Sequence, residues 1–177
     1  MADDPDRRKF LTLATCALGG GFGLVVVAPS LRLFVDPAGK KTVTSPTEPL
    51  DVGNVGQFVL NGPPTRVEVI APLVKDGWTT AHDVVIGAAW VRRTGPGLDQ
   101  VDVRSAVCPH LGCPIGYDSS QNNYLCACHN SRFDLGGAVK GGPSKRGMDA
   151  LPIAVKDGRL MLTWERYKLD TSGKERV

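Results

Sequence analysis

The hydrophobic pattern divides the chain into two parts. From Phe10 to Pro29 the run FLTLATCALGGGFGLVVVAP contains no charged residue, and about 20 apolar residues in succession are what a helix needs to cross a bilayer core. Beyond it the apolar residues come in short bursts rich in Val, Ile and aromatics, at 57–60, 65–70, 84–92, 100–107, 123–126, 151–156 and 159–164. Bursts of this length, separated by turn-formers, predict an all-β domain of sandwich or barrel type. Lys156-Asp157-Gly158-Arg159 predicts the clearest hairpin, because Asp-Gly readily adopts the positive φ angles of a two-residue turn. The body contains neither an amphipathic helical pattern nor an internal repeat.

Flanking charges orient the apolar run. Arg7, Arg8 and Lys9 precede it and Arg32 follows it, which by the positive-inside tendency keeps the N-terminus cytoplasmic and the body outside. Arg7-Arg8-Lys9-Phe10-Leu11 resembles a twin-arginine export signal, a route for proteins already folded around a cofactor, with Asp6 and Thr12 as departures. Val26-Val27-Ala28, followed by Pro29, lacks the small-x-small form of a cleavage site. Residues 1–34 therefore read as an uncleaved single-pass anchor in a bacterial inner membrane, with the body on the periplasmic side. Leu13-Ala14-Thr15-Cys16 has a lipobox outline, but too few apolar residues precede it for a signal core; Cys16 is expected to be a small buried hydrophobe. Residues 35–50 mix Pro, Gly, Thr and Lys without a period and read as a linker. The domain follows at 51–164, and 165–177 reads as a charged, solvated tail.

Composition changes this picture at two points. The 21 Gly and 13 Pro exceed average usage and argue against a long-helix body. A formal net charge of +3 without a basic run argues against nucleic acid as a partner. The scarce residues are then the five Cys and three His. Most of them crowd into Cys108-Pro109-His110-Leu111-Gly112-Cys113 and Cys126-Ala127-Cys128-His129. C-x-H and C-x-x-H on two loops offer two thiolates and two imidazoles to one metal site, a set that zinc or iron accepts. Spare thiols of an exported domain usually pair, so Cys113 and Cys128, one in each loop, are expected to form a disulfide. That leaves Cys108, His110, Cys126 and His129 as ligands. On the residues alone a structural zinc site and a two-disulfide domain with free histidines stay open. His82 lies far from both loops and is expected at the surface.

CPHLGC and CACHNSRFD, followed by Gly141-Gly142-Pro143-Ser144, resemble the two cluster boxes and the Pro loop of Rieske iron–sulfur proteins, over about residues 101–164. The anchor and linker also resemble those of family members in quinol–cytochrome c reductases. The resemblance implies a Rieske-type β-sandwich or barrel head with cluster-binding loops at about 105–146. It implies a [2Fe-2S] cluster with Cys108 and Cys126 on the inner iron, His110 and His129 on the outer one, and Leu111 and Pro143 beside it. Neutral imidazoles in place of two thiolates make electron uptake easier and raise the potential into the range of roughly −150 to +300 mV.

The resemblance further implies that His129 or His110 meets a quinol hydroxyl and accepts its proton, and that Ser131 donates to a bridging sulfide. Phe133 stands where higher-potential members carry a Tyr that donates to the first Cys ligand, which favours menaquinol over ubiquinol. Cytochrome b and a c-type cytochrome are the implied partners. The small Rieske subunit of an exported molybdoenzyme, such as arsenite oxidase, is the alternative within redox chemistry, and an extracytoplasmic module with structural zinc the alternative outside it. Asn130 replaces the common Gly without an energetic reading. Lys140, Lys145 and Arg146 flank the Pro143 loop, either as steering charges for an acidic partner or as ordinary solvated charges.

Overall fold

The computed structural model describes residues 5–43 and 46–177. Helix α1 (Pro5–Val35) has 31 residues and is roughly 46 Å long at ~1.5 Å per residue, more than a bilayer core requires. Its apolar stretch has no buried residues. The hydroxyls of Thr12, Thr15 and Ser30 donate to the carbonyls of Arg8, Leu11 and Val26 at 2.9, 2.8 and 2.7 Å. These hydroxyls are thereby satisfied within the helix, as an apolar surrounding demands. Cys16, expected to be buried, is instead exposed on α1, since a lone spanning helix turns such side chains outward.

The chain forms two units, one holding α1 through Thr42 together with Lys75–Thr80, the other holding Val43–Val74 and Ala81–Val177. In the first, Trp78 Nε1 donates to the Leu33 carbonyl at 3.1 Å. In the same turn, Asp76 Oδ1 accepts from the amides of Trp78 and Thr79 at 2.7 and 2.6 Å.

The second unit is the β head. Its base is made of two three-stranded sheets. In one, β1 (Leu50–Asn54) pairs with β10 (Arg159–Leu162), which pairs with β9 (Ile153–Lys156). In the other, β2 (Thr65–Lys75) lies beside β3 (Thr80–Arg93), which pairs with β4 (Val101–Ser105). Alternation places Val69, Val91 and Val103 of the second sheet against Leu50, Leu160, Leu162 and Trp164, all buried in one cluster. Asp157 and Gly158 carry φ of 50° and 75° at the β9–β10 turn, the geometry for which Asp-Gly is suited.

A third, four-stranded sheet carries β5 (Gly116–Asp118), β6 (Asn123–Cys126), β7 (Ser131–Phe133) and β8 (Val139–Gly141) in sequential order. Its strands are three or four residues long. A separate buried cluster lies beneath it, made of Trp90, Ile115, Tyr124, Phe133 and Met148 with Cys108 and Cys126.

Three expectations need correction. The burst at 57–60 is not a strand: Val55–Gln57 is a 3-10 turn that starts when Asn54 Oδ1 accepts from the Gly56 amide at 2.7 Å. Val55 and Phe58, the two residues it buries, are three apart, a helical spacing. The linker does not extend to residue 50, because Leu50 is buried and opens β1. Nor is 165–177 a free tail. It is an exposed hairpin, closed by Tyr167 opposite Arg176 and by amide bonds Lys168 to Glu175 and Val177 to Arg166.

Candidate metal centre

Three loops meet at the end of the third sheet, and each owes its shape to local chemistry. The first joins β4 to β5. It folds on itself, with the Cys108 amide donating to the Cys113 carbonyl at 2.8 Å and the Gly112 amide to the Cys108 carbonyl at 2.9 Å. Gly112 sits at φ 78°, where a side chain would be strained. Trp90 Nε1 fixes the base of this loop by donating to the Ile115 carbonyl at 2.9 Å.

The second loop, 127–130, closes the β6–β7 hairpin, in which Cys126 stands opposite Ser131. Asn130 lies at φ 58°. After Gly, Asn is among the residues that tolerate this region best, so the substitution at this position has a conformational reason that the sequence alone did not supply. The third loop follows β8. A Cβ on Gly142 would fall 2.5 Å from Ser131 Cα and 2.7 Å from the Asn130 carbonyl oxygen, so only a glycine lets the third loop lie on the second.

The disulfide between Cys113 and Cys128, with Cα atoms 6.6 Å apart, ties the first loop to the second. Cys108 and Cys126 are free and buried. Burial pushes the Cys108 thiol up to about 11, and its neighbour Cys126 pushes in the same direction. Two adjacent buried thiols give up their protons only if a cation compensates the charge. The rings of His110 and His129 meet edge to face with centroids 4.9 Å apart. His110 is half-buried and His129 exposed. The Cys126 sulfur also lies with those of Cys113 and Cys128 within 4.8 Å of one another, but the latter two are bonded to each other, so this trio is not a ligand set.

The surroundings fit an iron–sulfur group. Ser131 is fully buried, and its Oγ has no hydrogen-bond partner among the described residues. An orphaned donor costs free energy unless something in the site accepts from it. Phe133 is likewise fully buried. Leu111 and Pro143 are exposed and place apolar surface on the first and third loops. His82 is exposed on β3.

The basic residues by the third loop are not free charges. Lys140 pairs with Asp134 at 3.5 Å and Lys145 with Asp170 at 3.0 Å. Arg146 is buried and forks onto Asp149, at 3.0 Å from Nε to Oδ1 and 2.8 Å from Nη2 to Oδ2. For Arg146, at least, a structural role replaces that of a steering charge. Sequence reading missed Asp149 and Trp90, because a lone acid and a lone indole carry no motif.

Comparisons with known proteins bear on the family of the chain. The Rieske [2Fe-2S] domain family matches residues 76–154. The menaquinol:cytochrome c reductase iron–sulfur subunit of Geobacillus thermodenitrificans is 30% identical over 160 residues, covering 88% of this chain and 89% of that protein. The cytochrome b6-f complex iron–sulfur subunit of Cyanothece sp. is 30% identical over 181 residues, covering 98% and 93% respectively. A plasma membrane Rieske protein from Synechocystis PCC 6803, solved by crystallography, aligns over 65% of this chain and 99% of its own at a TM-score of 0.44 and 18% identity.

Proposed function

This chain belongs to the Rieske iron–sulfur subunits of cytochrome bc-type complexes, and on that premise we propose that Cys108 and Cys126 hold the inner iron of its [2Fe-2S] cluster and His110 and His129 the outer one. The protein is the electron-transfer subunit of a quinol–cytochrome c reductase, membrane-anchored by a single pass and associated with cytochrome subunits. The observation that carries the ligand reading is the pairing of two buried free thiols with two edge-to-face imidazoles.

When bound, the cluster supplies a one-electron acceptor whose potential is raised by the neutral imidazoles. The residues do the rest. Cys108 and Cys126, both buried, would hold the group away from water, and the partnerless Ser131 Oγ would donate to it, favouring the reduced form. His129, the more exposed ring, meets the quinol hydroxyl and takes its proton. Leu111 and Pro143 present an apolar rim suited to the quinol ring. Phe133 provides no hydroxyl to the Cys108 sulfur, which keeps the potential in the lower part of the family range and favours menaquinol. The sign of the flanking charges on α1 supports a periplasmic head in a bacterial inner membrane. The anchor extends through Val35, the linker ends before Leu50, and the head runs from Leu50 with 165–177 attached to it.

Purification in mild detergent tests this reading: two irons and two sulfides per head, with haem proteins copurifying, are expected. A molybdopterin subunit copurifying instead would overturn the assignment of partners, and zinc in place of iron would overturn the cluster.

A further inference from the structure

The three cluster loops are tied to one another in pairs. The disulfide joins the first to the second, and the close approach of Gly142 to Ser131 joins the second to the third. The remaining tie, first to third, comes from the C-terminal hairpin. At its tip the Asp170 amide donates to the Pro109 carbonyl at 2.9 Å, directly between Cys108 and His110. Leu169 Cδ1 lies 3.2 Å from where a Cβ of Gly112 would stand. On the other side of the tip, Lys145 Nζ donates to the Asp170 carbonyl at 3.1 Å and to its carboxylate at 3.0 Å. Arg146 Nη1 donates to the Thr171 carbonyl and hydroxyl, both at 3.0 Å.

The tip is itself held in shape. Asp170 occupies φ 55°, Thr171 Oγ1 donates to the Gly173 carbonyl at 2.9 Å, and Lys174 Nζ reaches the Ala150 carbonyl at 2.7 Å and sits 4.5 Å from the Tyr167 ring centroid. Because Arg146 also engages buried Asp149 through Nε and Nη2, the third loop cannot move without breaking a desolvated ion pair, a costly event. The hairpin tip is therefore seated on a rigid support and not on a mobile loop.

Resting on the ligand reading above, we propose that the C-terminal hairpin is a positioning element of the cluster site, whose tip residues Leu169, Asp170 and Thr171 hold the His110 loop at a fixed spacing from the Pro143 loop. They act through Pro109, Gly112 and Arg146. Without them the His110 loop samples several positions, and the outer iron sees a distribution of ligand geometries.

The test compares the full chain, solubilised in detergent, with a chain ending at Lys168 and with a Leu169→Ala/Thr171→Val double variant. Three readouts are taken: the electron paramagnetic resonance line shape after dithionite, the midpoint from a redox titration, and amide hydrogen exchange at Gly112. Broadened lines, a shifted midpoint and several-fold faster exchange at Gly112 are expected in the truncated chain, with the same changes in smaller measure in the double variant. If the shortened chain does not fold, the double variant decides alone. A folded variant with unchanged line shape, midpoint and exchange overturns the proposal. Absence of a Rieske-type signal from the unaltered chain overturns the ligand reading instead, so the two failures are distinguishable.

Discussion

The two halves of the β head reach order by different means. In the base, sheets with strands of up to 14 residues bury Leu50, Val69, Val91, Leu160 and Leu162 against each other, and removal of apolar surface from water contributes most of the stabilisation. In the cluster half, strands of three or four residues are too short to do this alone. The smaller apolar cluster of Trp90, Ile115, Tyr124, Phe133 and Met148 beneath them is supplemented by turns with Gly112, Asn130 and Gly142 in left-handed conformations, a disulfide and a buried ion pair. The base thus rests on apolar packing alone, whereas the cluster half adds covalent and polar ties to its packing. It follows that the two halves can be disturbed separately.

The strongest perturbation is confined to the cluster half. On the proposed ligand assignment Cys126→Ser removes a thiolate ligand, so no cluster is expected to assemble, while far-UV circular dichroism still reports the β base. Collapse of the base signal together with the cluster would break the separation of the halves.

Asp149→Ala comes next. It leaves the buried Arg146 guanidinium without its partner, for a loss of about 3–5 kcal/mol in denaturant unfolding. A loss below about 1 kcal/mol, the range of exposed pairs, would mean that water reaches Arg146 in solution.

Leu162→Ala probes the other half. A fully buried leucine replaced by alanine costs about 2–5 kcal/mol, and the midpoint of the cluster is expected to stay where it was. A midpoint that moves with this change would show that packing in the base is transmitted to the iron.

A finer distinction is drawn by Phe133→Tyr. The side chain is fully buried and shares its apolar cluster with Cys108, the proposed ligand to which a new hydroxyl is expected to donate. One such bond, at ~0.5–1.5 kcal/mol, raises a one-electron midpoint by about 20–65 mV. A redox titration in which the midpoint falls or does not move contradicts the proposed role of Phe133 in setting the potential.

The mildest effect concerns acid. Asp118, the last residue of β5, has its carboxyl held below the usual carboxylate range by the Ser120 hydroxyl, with further help from the amides of Gln121 and Ser120 and from Arg132. A lowered folded pKa contributes stability above the unfolded value, about 3.9, which is lost as pH falls through the folded one. Asp118→Asn should therefore narrow the stability gap between about pH 6 and about pH 3, on either side of that value. An unchanged gap would assign acid sensitivity to other carboxylates.

How much the sequence disclosed follows the same division. The base strands other than β1 were legible as bursts of Val, Ile and Leu, and the β9–β10 turn as Asp-Gly, because burial imposes a period on the chain; β1 begins at Leu50, inside the segment read as linker. The three-residue strands β5, β7 and β8 have no room for a period and were invisible. Their place was taken by the Cys and His motifs, which marked the loops that those strands support. Phe58, Val59 and Leu60 misled through apolarity without alternation. The C-terminal hairpin escaped notice because its order comes from ion pairs and backbone bonds to distant loops, and Lys, Glu and Asp in a row look the same when solvated as when paired.

Everything proposed for the cluster half depends on two nitrogens, from His110 and His129, and two sulfurs, from Cys108 and Cys126, holding one two-iron cluster. Pulsed electron paramagnetic resonance of the dithionite-reduced protein, read for nitrogen hyperfine couplings, is the sharpest probe of that ligand set. Two strongly coupled nitrogens, one of them lost together with the normal signal in His129→Ala, are the predicted result. A reduced cluster without coupled nitrogen, or a normal signal persisting in His129→Ala, would contradict it.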